Sequence, residues 1–385
     1  LLEVEGPAAG LDRFFIDLEA KAPPLAWITR VDRQAVPVMG QTDFVIAHSE
    51  AQTDRTALIS PDVAVCDDCL REMFDPSDRR HRYPFINCTN CGPRYTIIVD
   101  VPYDRDKTSM RVFPLCPDCR KEYEDPSDRR FHAQPNACPV CGPRVFLTDG
   151  QGNVLAETDP IRSAAELLRT GQILAVKGLG GFHLAVNAAD QAAVRRLRER
   201  KRREEKPLAV MSPDLDRLEA YALVSLDEAQ TLASIQRPIT LLEKRTPFLL
   251  ADAVAPDNKF IGAMLPYTPL HHLLLEGFTA LVMTSGNLSE EPIVRENREA
   301  LERLSGIADY FLMHNREIHV RVDDSVVRAG RGRASQIRRS RGFAPAPVFL
   351  PERLPSVLAV GGEMKNTVCL TRSEEHTSEL QSPNT

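Results

Sequence analysis

From Gly150 onward the hydrophobic and polar positions fall into alternating helical and strand-like stretches, the texture of an α/β domain. Asp159-Pro160 opens a helix that closes at Gly171, with an acidic cap, proline in the first turn and glycine at the end. Ile173–Val176 follows as a short apolar strand and runs into the loop Lys177-Gly178-Leu179-Gly180-Gly181. The pattern predicts a second helix over Ala192–Arg203, a strand over Pro207–Met211 and another over Ala280–Met283. Arg321 to Arg341 reads as charged edge strands, with no acid between Arg328 and Arg341.

Composition narrows the class. The 385 residues leave room for two or three domains, and 43% hydrophobic with 26% charged residues is the balance of a chain that buries ordinary cores. A net charge of −6 argues against a protein that coats nucleic acid through its overall field, so any basic site is local. No run approaches the roughly twenty apolar residues of a bilayer span, and Leu1 to Gly10 lacks the basic and apolar parts of a signal peptide. The expectation is a cytoplasmic chain with no membrane partner. It begins without Met inside alternating apolar and polar sequence, so residues upstream are expected.

The nine cysteines change the picture most. Cys66 and Cys69 form a C-x-x-C pair, eighteen residues separate Cys69 from Cys88, and Cys88 with Cys91 completes the set. The set recurs as Cys116, Cys119, Cys138 and Cys141, each offset by 50, and Asp75–Arg80 recurs letter for letter as Asp125–Arg130. This is an internal duplication. Two C-x-x-C turns complete a closed tetrahedron of thiolates around zinc, which marks a structural site, so two Zn²⁺ ions are expected. Gly92 and Gly142 each follow a final cysteine, where a tight knuckle calls for positive φ. Ligand exchange between the modules stays open. Arg79, Arg80, Arg129 and Arg130 are balanced in sequence by Asp75, Asp78, Asp125 and Asp128, which leaves no basic stripe for phosphate and favours scaffolding over nucleic-acid binding. Cys369 stands alone.

Three further clusters suit a phosphate-bearing anion. The helix ending at Arg200, Lys201, Arg202, Arg203 and Lys206 feeds cations into a strand. Thr284-Ser285-Gly286-Asn287-Leu288-Ser289 places hydroxyls, an amide and glycine beyond a strand's C-terminal end, where ligands of open α/β sheets lie, although a capped turn explains the same letters. Asp323 or Asp324 can meet Mg²⁺, and Arg338 or Arg341 can clamp phosphate or carboxylate. No G-x-x-x-x-G-K-S/T occurs, and the glycines at 178, 180 and 181 fall short of the dinucleotide fingerprint.

The order Lys177-Gly-Leu-Gly-Gly-Phe-His-Leu184, Lys201-Arg-Arg-Glu-Glu-Lys-Pro-Leu-Ala-Val-Met211, Pro266-Tyr-Thr-Pro-Leu270 and Thr284-Ser-Gly-Asn287 resembles the YrdC-like domain of the HypF family. Duplicated zinc modules directly upstream are that family's other hallmark. The resemblance implies an α/β fold of two small tandem four-cysteine zinc modules (66–91 and 116–141, within 46–150) followed by an open twisted YrdC-like domain at 151–350. Residues 1–45 resemble the tail of an acylphosphatase-like domain, and 351–371 the first hairpin of an actin-like ATPase-type domain. Arg372 to Thr385 matches the in-frame translation of a sequencing-library adapter and is expected to be a foreign tail outside the fold.

The resemblance also implies a chemistry for maturing nickel-iron hydrogenases. Carbamoyl phosphate is hydrolysed to carbamate, ATP with Mg²⁺ converts carbamate to carbamoyl adenylate, and the carbamoyl group passes to the C-terminal cysteine of HypE. By this analogy Lys177, Lys201, Arg203 and Lys206 neutralise the triphosphate as catalytic residues. Thr284, Ser285, Asn287, Ser289, Asp324, Arg338 and Arg341 hold the nucleotide. The acylphosphatase loop and the closing domain's metal histidines are not among residues 1–385, so the adenylation step is the one expected here. Two other readings remain. One is an RNA-binding module using Arg195–Arg203, although double-stranded RNA is not the expected partner; the other is a synthase of threonylcarbamoyl adenylate, which the zinc modules disfavour.

Overall fold

The computed structural model describes residues 2–23, 25–26, 28, 31–40, 58–155, 158–288, 291–330, 332–348, 355–361, 367–371 and 377–381. They belong to two units, Leu1–Thr56 and Ala57–Thr385. In the first, helix α1 (Ala8–Ala20) follows Pro7, and Lys21 pairs with Asp17 one turn back at 2.8 Å. No strand lies among the described residues of that unit.

The second unit starts with the cysteine duplication. Cys66 and Cys116 each occupy the cap position of a two-turn helix, α2 (Asp67–Phe74) and α3 (Pro117–Glu124), so the second cysteine of each C-x-x-C lies in the first turn. Helix α4 (Pro160–Arg169) begins where its cap predicts: the Asp159 carboxylate accepts from the backbone N–H groups of Ile161 and Arg162. Helix α5 (Gln191–Lys201) is capped by Asp190 and ends at Arg202, which adopts the left-handed conformation. It therefore stops two residues short of the predicted Arg203.

In chain order the strands are β1 (Val145–Asp149), β2 (Leu174–Lys177), β3 (Phe182–Asn187), β4 (Val210–Met211), β5 (Ala222–Leu223), β6 (Ile239–Lys244), β7 (Phe260–Met264), β8 (Leu281–Ser285), β9 (Tyr310–His314), β10 (Val326–Gly330) and β11 (Arg333–Arg338). They join one sheet in the order β1-β9-β2-β3-β8-β4-β7-β6-β10-β11, with β5 on β6. Pairing is mixed. Among the named strands, β2–β9, β4–β7 and β6–β10 are the parallel pairs. The predicted strand Pro207–Met211 is ordered as β only at Val210–Met211; Ala209 O still accepts from Met283 N of β8, while Leu208 N donates to Val254 O outside the sheet.

Both faces of the sheet are covered. Leu174, Val176, Ala185, Met283 and Leu312 face a core shared with Met73, Tyr83, Phe85, Ile86 and Ile97 of the cysteine region and with Leu168 of α4. Ala175, Leu184, Val186, Val210 and Val282 face a second core with Val194 and Leu197 of α5. This is the period-two alternation of a strand buried on both sides. The cysteine modules therefore belong to the sheet's own core. Backbone bonds add to the join, Ala64 to Ile235 at 2.9 Å and His319 to Thr96 at 2.8 Å.

Leu358–Val360, Thr367–Thr371 and Thr377–Gln381 form a separate antiparallel sheet of three strands. The last lies in the tail expected outside the fold. A ladder needs only backbone groups, so an exposed edge recruits almost any extended segment.

Among the described residues no helix is long and apolar enough to cross a membrane.

Candidate functional site

Each set of four cysteines closes on itself. In the first, Sγ separations are 3.6 Å for Cys66–Cys88, 3.8 Å for Cys88–Cys91 and 3.6 Å for Cys91–Cys69. In the second they are 3.8 Å for Cys116–Cys138 and Cys138–Cys141, and 3.7 Å for Cys141–Cys119. A tetrahedron of sulfurs about 2.3 Å from zinc has edges of about 3.8 Å. Both sets fit zinc, and ligands are not exchanged between modules. Gly92 takes the expected positive φ of 94°. Gly142 does not. A Cβ there would stand 2.0 Å from the Tyr83 hydroxyl and 2.5 Å from Ala137 Cβ, so the position demands glycine for close approach rather than for its dihedral.

What the modules do exchange is charge. Arg129 of the second module donates to Cys69 Sγ of the first at 3.2 Å and to Glu72 at 2.9 Å, and Arg130 pairs with Glu72. Reciprocally, Arg79 of the first donates to Cys119 Sγ at 2.9 Å and to Glu122 at 3.0 Å, and Arg80 pairs with Glu122. Arg80 also reaches Ala137 O and Arg130 reaches Asn87 O, the same contact one repeat apart. The arginines find their partners in Glu72 and Glu122, while Asp75, Asp78, Asp125 and Asp128, which balance them in sequence, cap local turns at Ser77, Arg80, Ser127 and Arg130. Four thiolates around Zn²⁺ leave two negative charges, and guanidinium donors against the sulfurs offset them.

The second site is a cavity of about 520 Å³ lined by residues of β6, β7, β8, β10 and β11. Its apolar wall includes Ile239, Leu241, Phe260, Met283 and Ile293, and its polar wall includes Arg203, Lys206, Thr284, Ser285, Asp324 and Arg338. Apolar lining with a few convergent polar groups is the pattern of small-molecule sites of this size. Arg203 leaves α5, donates to Pro207 O at 2.6 Å and reaches Thr284 Oγ1 at 3.2 Å. Burial, and then Arg198 and Arg338 nearby, pull its pKa down to about 10. Two guanidiniums that repel each other across a cavity favour an anion between them.

Lys201 stands behind this wall. Its ammonium donates to Ser285 O at 2.7 Å and Asn287 Oδ1 at 2.9 Å, while Ser285 Oγ donates to the same Oδ1 at 2.7 Å. Lys201 and Asn287 thus shape the 285–287 turn that presents the hydroxyls. Gly286 is required there, since a Cβ would meet Phe182 O at 2.7 Å. Ser289 lies outside the described residues.

Two expected residues are displaced. Arg341, 1% exposed, bonds to Asp324 at 2.8 Å and to Gln236 O and Arg237 O at 2.9 Å each, and stacks 3.4 Å over Tyr267. Its donors hold a turn beneath the cavity, and it does not line the site as a clamp would. Burial would raise the Asp324 carboxyl, but Arg341 and His183 hold it well below the usual range, with both oxygens bonded to them. Lys177 is 4% exposed and donates to His314 O at 3.2 Å, away from the cavity lining. Asp323, one of the two Mg²⁺ candidates, lines the cavity, and so do Asn258 and Phe260, which the sequence reading missed; an aromatic beside Asn258 in a polar loop is the available signal.

The helix cluster is bonded internally as well. Arg196 bonds Gly171 O, Arg198 bonds Ala253 O and Val254 O, and Arg200 pairs with Asp309. A phosphate-tracking stripe for RNA needs free cations on one face, and these three of the run are engaged within the fold.

Comparison with known proteins fits this architecture. The family model described as "HypF finger" matches twice, at residues 65–98 and 115–148, and the model described as "Telomere recombination", of the Sua5, YciO and YrdC type, matches residues 166–340. The carbamoyltransferase HypF2 of Cupriavidus necator is 49% identical over 97% of this chain and 49% of its own length. This chain belongs to the HypF family. The carbamoyltransferase HypF of Synechocystis sp. is 50% identical over 92% of the chain and 46% of the relative. A full-length HypF crystallised in a phosphate- and nucleotide-bound form superposes with a TM-score of 0.92 at 48% identity, covering 98% of this chain and 49% of that one. The chain thus spans about half the length of the HypF relatives it matches.

Proposed function

We propose that this HypF-family chain carries the step that activates a one-carbon unit with ATP, making carbamoyl adenylate from carbamate that derives from carbamoyl phosphate. The observation that carries the reading is the cavity in which Arg203 and Arg338 share a wall with Thr284 and Ser285. A carbamate oxygen attacks the α-phosphorus, the bond to the bridging oxygen breaks, and pyrophosphate leaves. Arg203, Lys206 and Arg338 offset the charge of the triphosphate and of the departing pyrophosphate. Thr284 and Ser285 orient phosphate oxygens, and Lys201 with Asn287 keeps their turn in place. Asp323 stands at the cavity for Mg²⁺, and Asp324 joins only by giving up His183 or Arg341. A carbamate that decomposes in water needs such a partly enclosed site. In the longer protein the carbamoyl group then goes to the terminal cysteine of HypE, and zinc braces the fold.

The test is exchange of radiolabelled pyrophosphate into ATP by the zinc-loaded chain, with carbamoyl phosphate and an acylphosphatase supplied separately. Exchange that depends on carbamoyl phosphate and falls about 10²-fold in Arg203→Met is expected. Folded protein with two zinc equivalents and no exchange would contradict it.

A further inference from the structure

Arg198 stands near the end of α5, is 8% exposed and is not among the residues that line the cavity. No carboxylate pairs with its guanidinium among the described residues; its partners are five backbone carbonyls. Nε donates to Ala253 O, Nη1 to Arg203 O at 3.0 Å and Glu204 O at 3.1 Å, and Nη2 to Lys206 O at 3.4 Å and Val254 O at 3.1 Å. A guanidinium carries five N–H groups, so each is used. The Arg198 carbonyl in turn accepts from Arg203 N at 3.0 Å, which holds Arg203 by both its N–H and its C=O.

What Arg198 gathers is the segment from Arg203 to Lys206, which lies in no helix or strand and exposes Glu204, Glu205 and Lys206. Arg203 and Lys206 are its two members on the cavity wall, and Lys206 O accepts from Arg203 Nε at 3.0 Å as well as from Arg198. Val254 O likewise accepts from Leu208 N at 2.8 Å, so one buried guanidinium ties together the end of α5, the segment and the turn at Asp252–Val254. Lysine offers three donors on one atom and cannot span all of these carbonyls. We propose that Arg198 is a positioning residue of the cavity: it fixes the 203–206 segment from behind, and thereby aims Arg203 and Lys206, without touching a ligand. That the aimed cations hold a triphosphate rests on the adenylation reading; that Arg198 aims them does not.

Two measurements on the zinc-loaded chain test this, one of them independent of nucleotide. In limited digestion with trypsin, cleavage after Arg202 and Arg203 should be about tenfold faster in Arg198→Met than in the parent, because the charged hydrogen bonds that close the segment are gone. In calorimetric titration with ATP and Mg²⁺, Arg198→Met and Arg198→Lys should each weaken binding about tenfold. The same Arg198→Met change in a chain that already carries Arg203→Met and Lys206→Met should cost less than about twofold, since a residue that acts through those two then has nothing to aim. A substitution that merely loosens the fold costs the same in both backgrounds, and that result would overturn the proposal. So would unchanged digestion, or full ATP affinity in Arg198→Lys, which keeps the charge and loses the fork. Should Arg198→Met not fold, Arg198→Lys is read in both measurements. A parent chain that binds no ATP would remove the adenylation reading and leave digestion to decide for Arg198.

Discussion

Arg203 and Arg341 look equivalent in the sequence, and the fold gives them opposite duties. Arg341 is buried with all three guanidinium nitrogens bonded, so Arg341→Met leaves the buried Asp324 carboxylate with His183 as its one charged partner and should cost about 3–5 kcal/mol in urea unfolding. Exchanging Asp324 for Asn in the same chain should recover part of the loss. Equal stability of Arg341→Met and the parent would return Arg341 to the candidate clamp. Residue type was legible because cysteines at fixed spacing and hydroxyls after a strand announce their chemistry. Direction was not: nothing in Arg328 to Arg341 tells which guanidinium faces a cavity and which a carbonyl.

At the scale of elements the repeat was readable and its coupling was not. An offset of 50 reveals two modules, but not that each lends its arginines to the other's sulfurs. Arg129→Ala should therefore weaken metal retention at Cys66–Cys91, in the module to which it does not belong. Zinc release to a chromogenic chelator should show one of the two equivalents leaving about tenfold faster, as loss of an outer-shell partner does elsewhere. Arg79→Ala should do the same at Cys116–Cys141. Release confined to the mutated module's own site would show that the cross-contacts are incidental. The Asp159 cap placed the start of α4 well, because a side-chain cap is local; the pattern placed the start of α5 one residue late, and α5 ended early because Arg202 turns left-handed before Arg203. The mixed sheet was illegible, since strand order follows long-range pairing that a doubly buried apolar strand does not encode.

Across the whole molecule, the cysteine modules and one face of the sheet share a core, so metal, sheet and cavity form one mechanical unit. Phe85 and Ile86 of the first cysteine module share a core with Met283, which also lines the cavity. The similarity to HypF relatives covers nearly all of this chain and about half of their length. The decisive measurement is mass spectrometry of the nucleotide products made by zinc-loaded chain from ATP, Mg²⁺ and enzymatically generated carbamate, with and without threonine. Carbamoyl adenylate that accumulates regardless of threonine is the expected result. A threonine-dependent adduct, or AMP and pyrophosphate with no carbamoylated nucleotide at all, would contradict it.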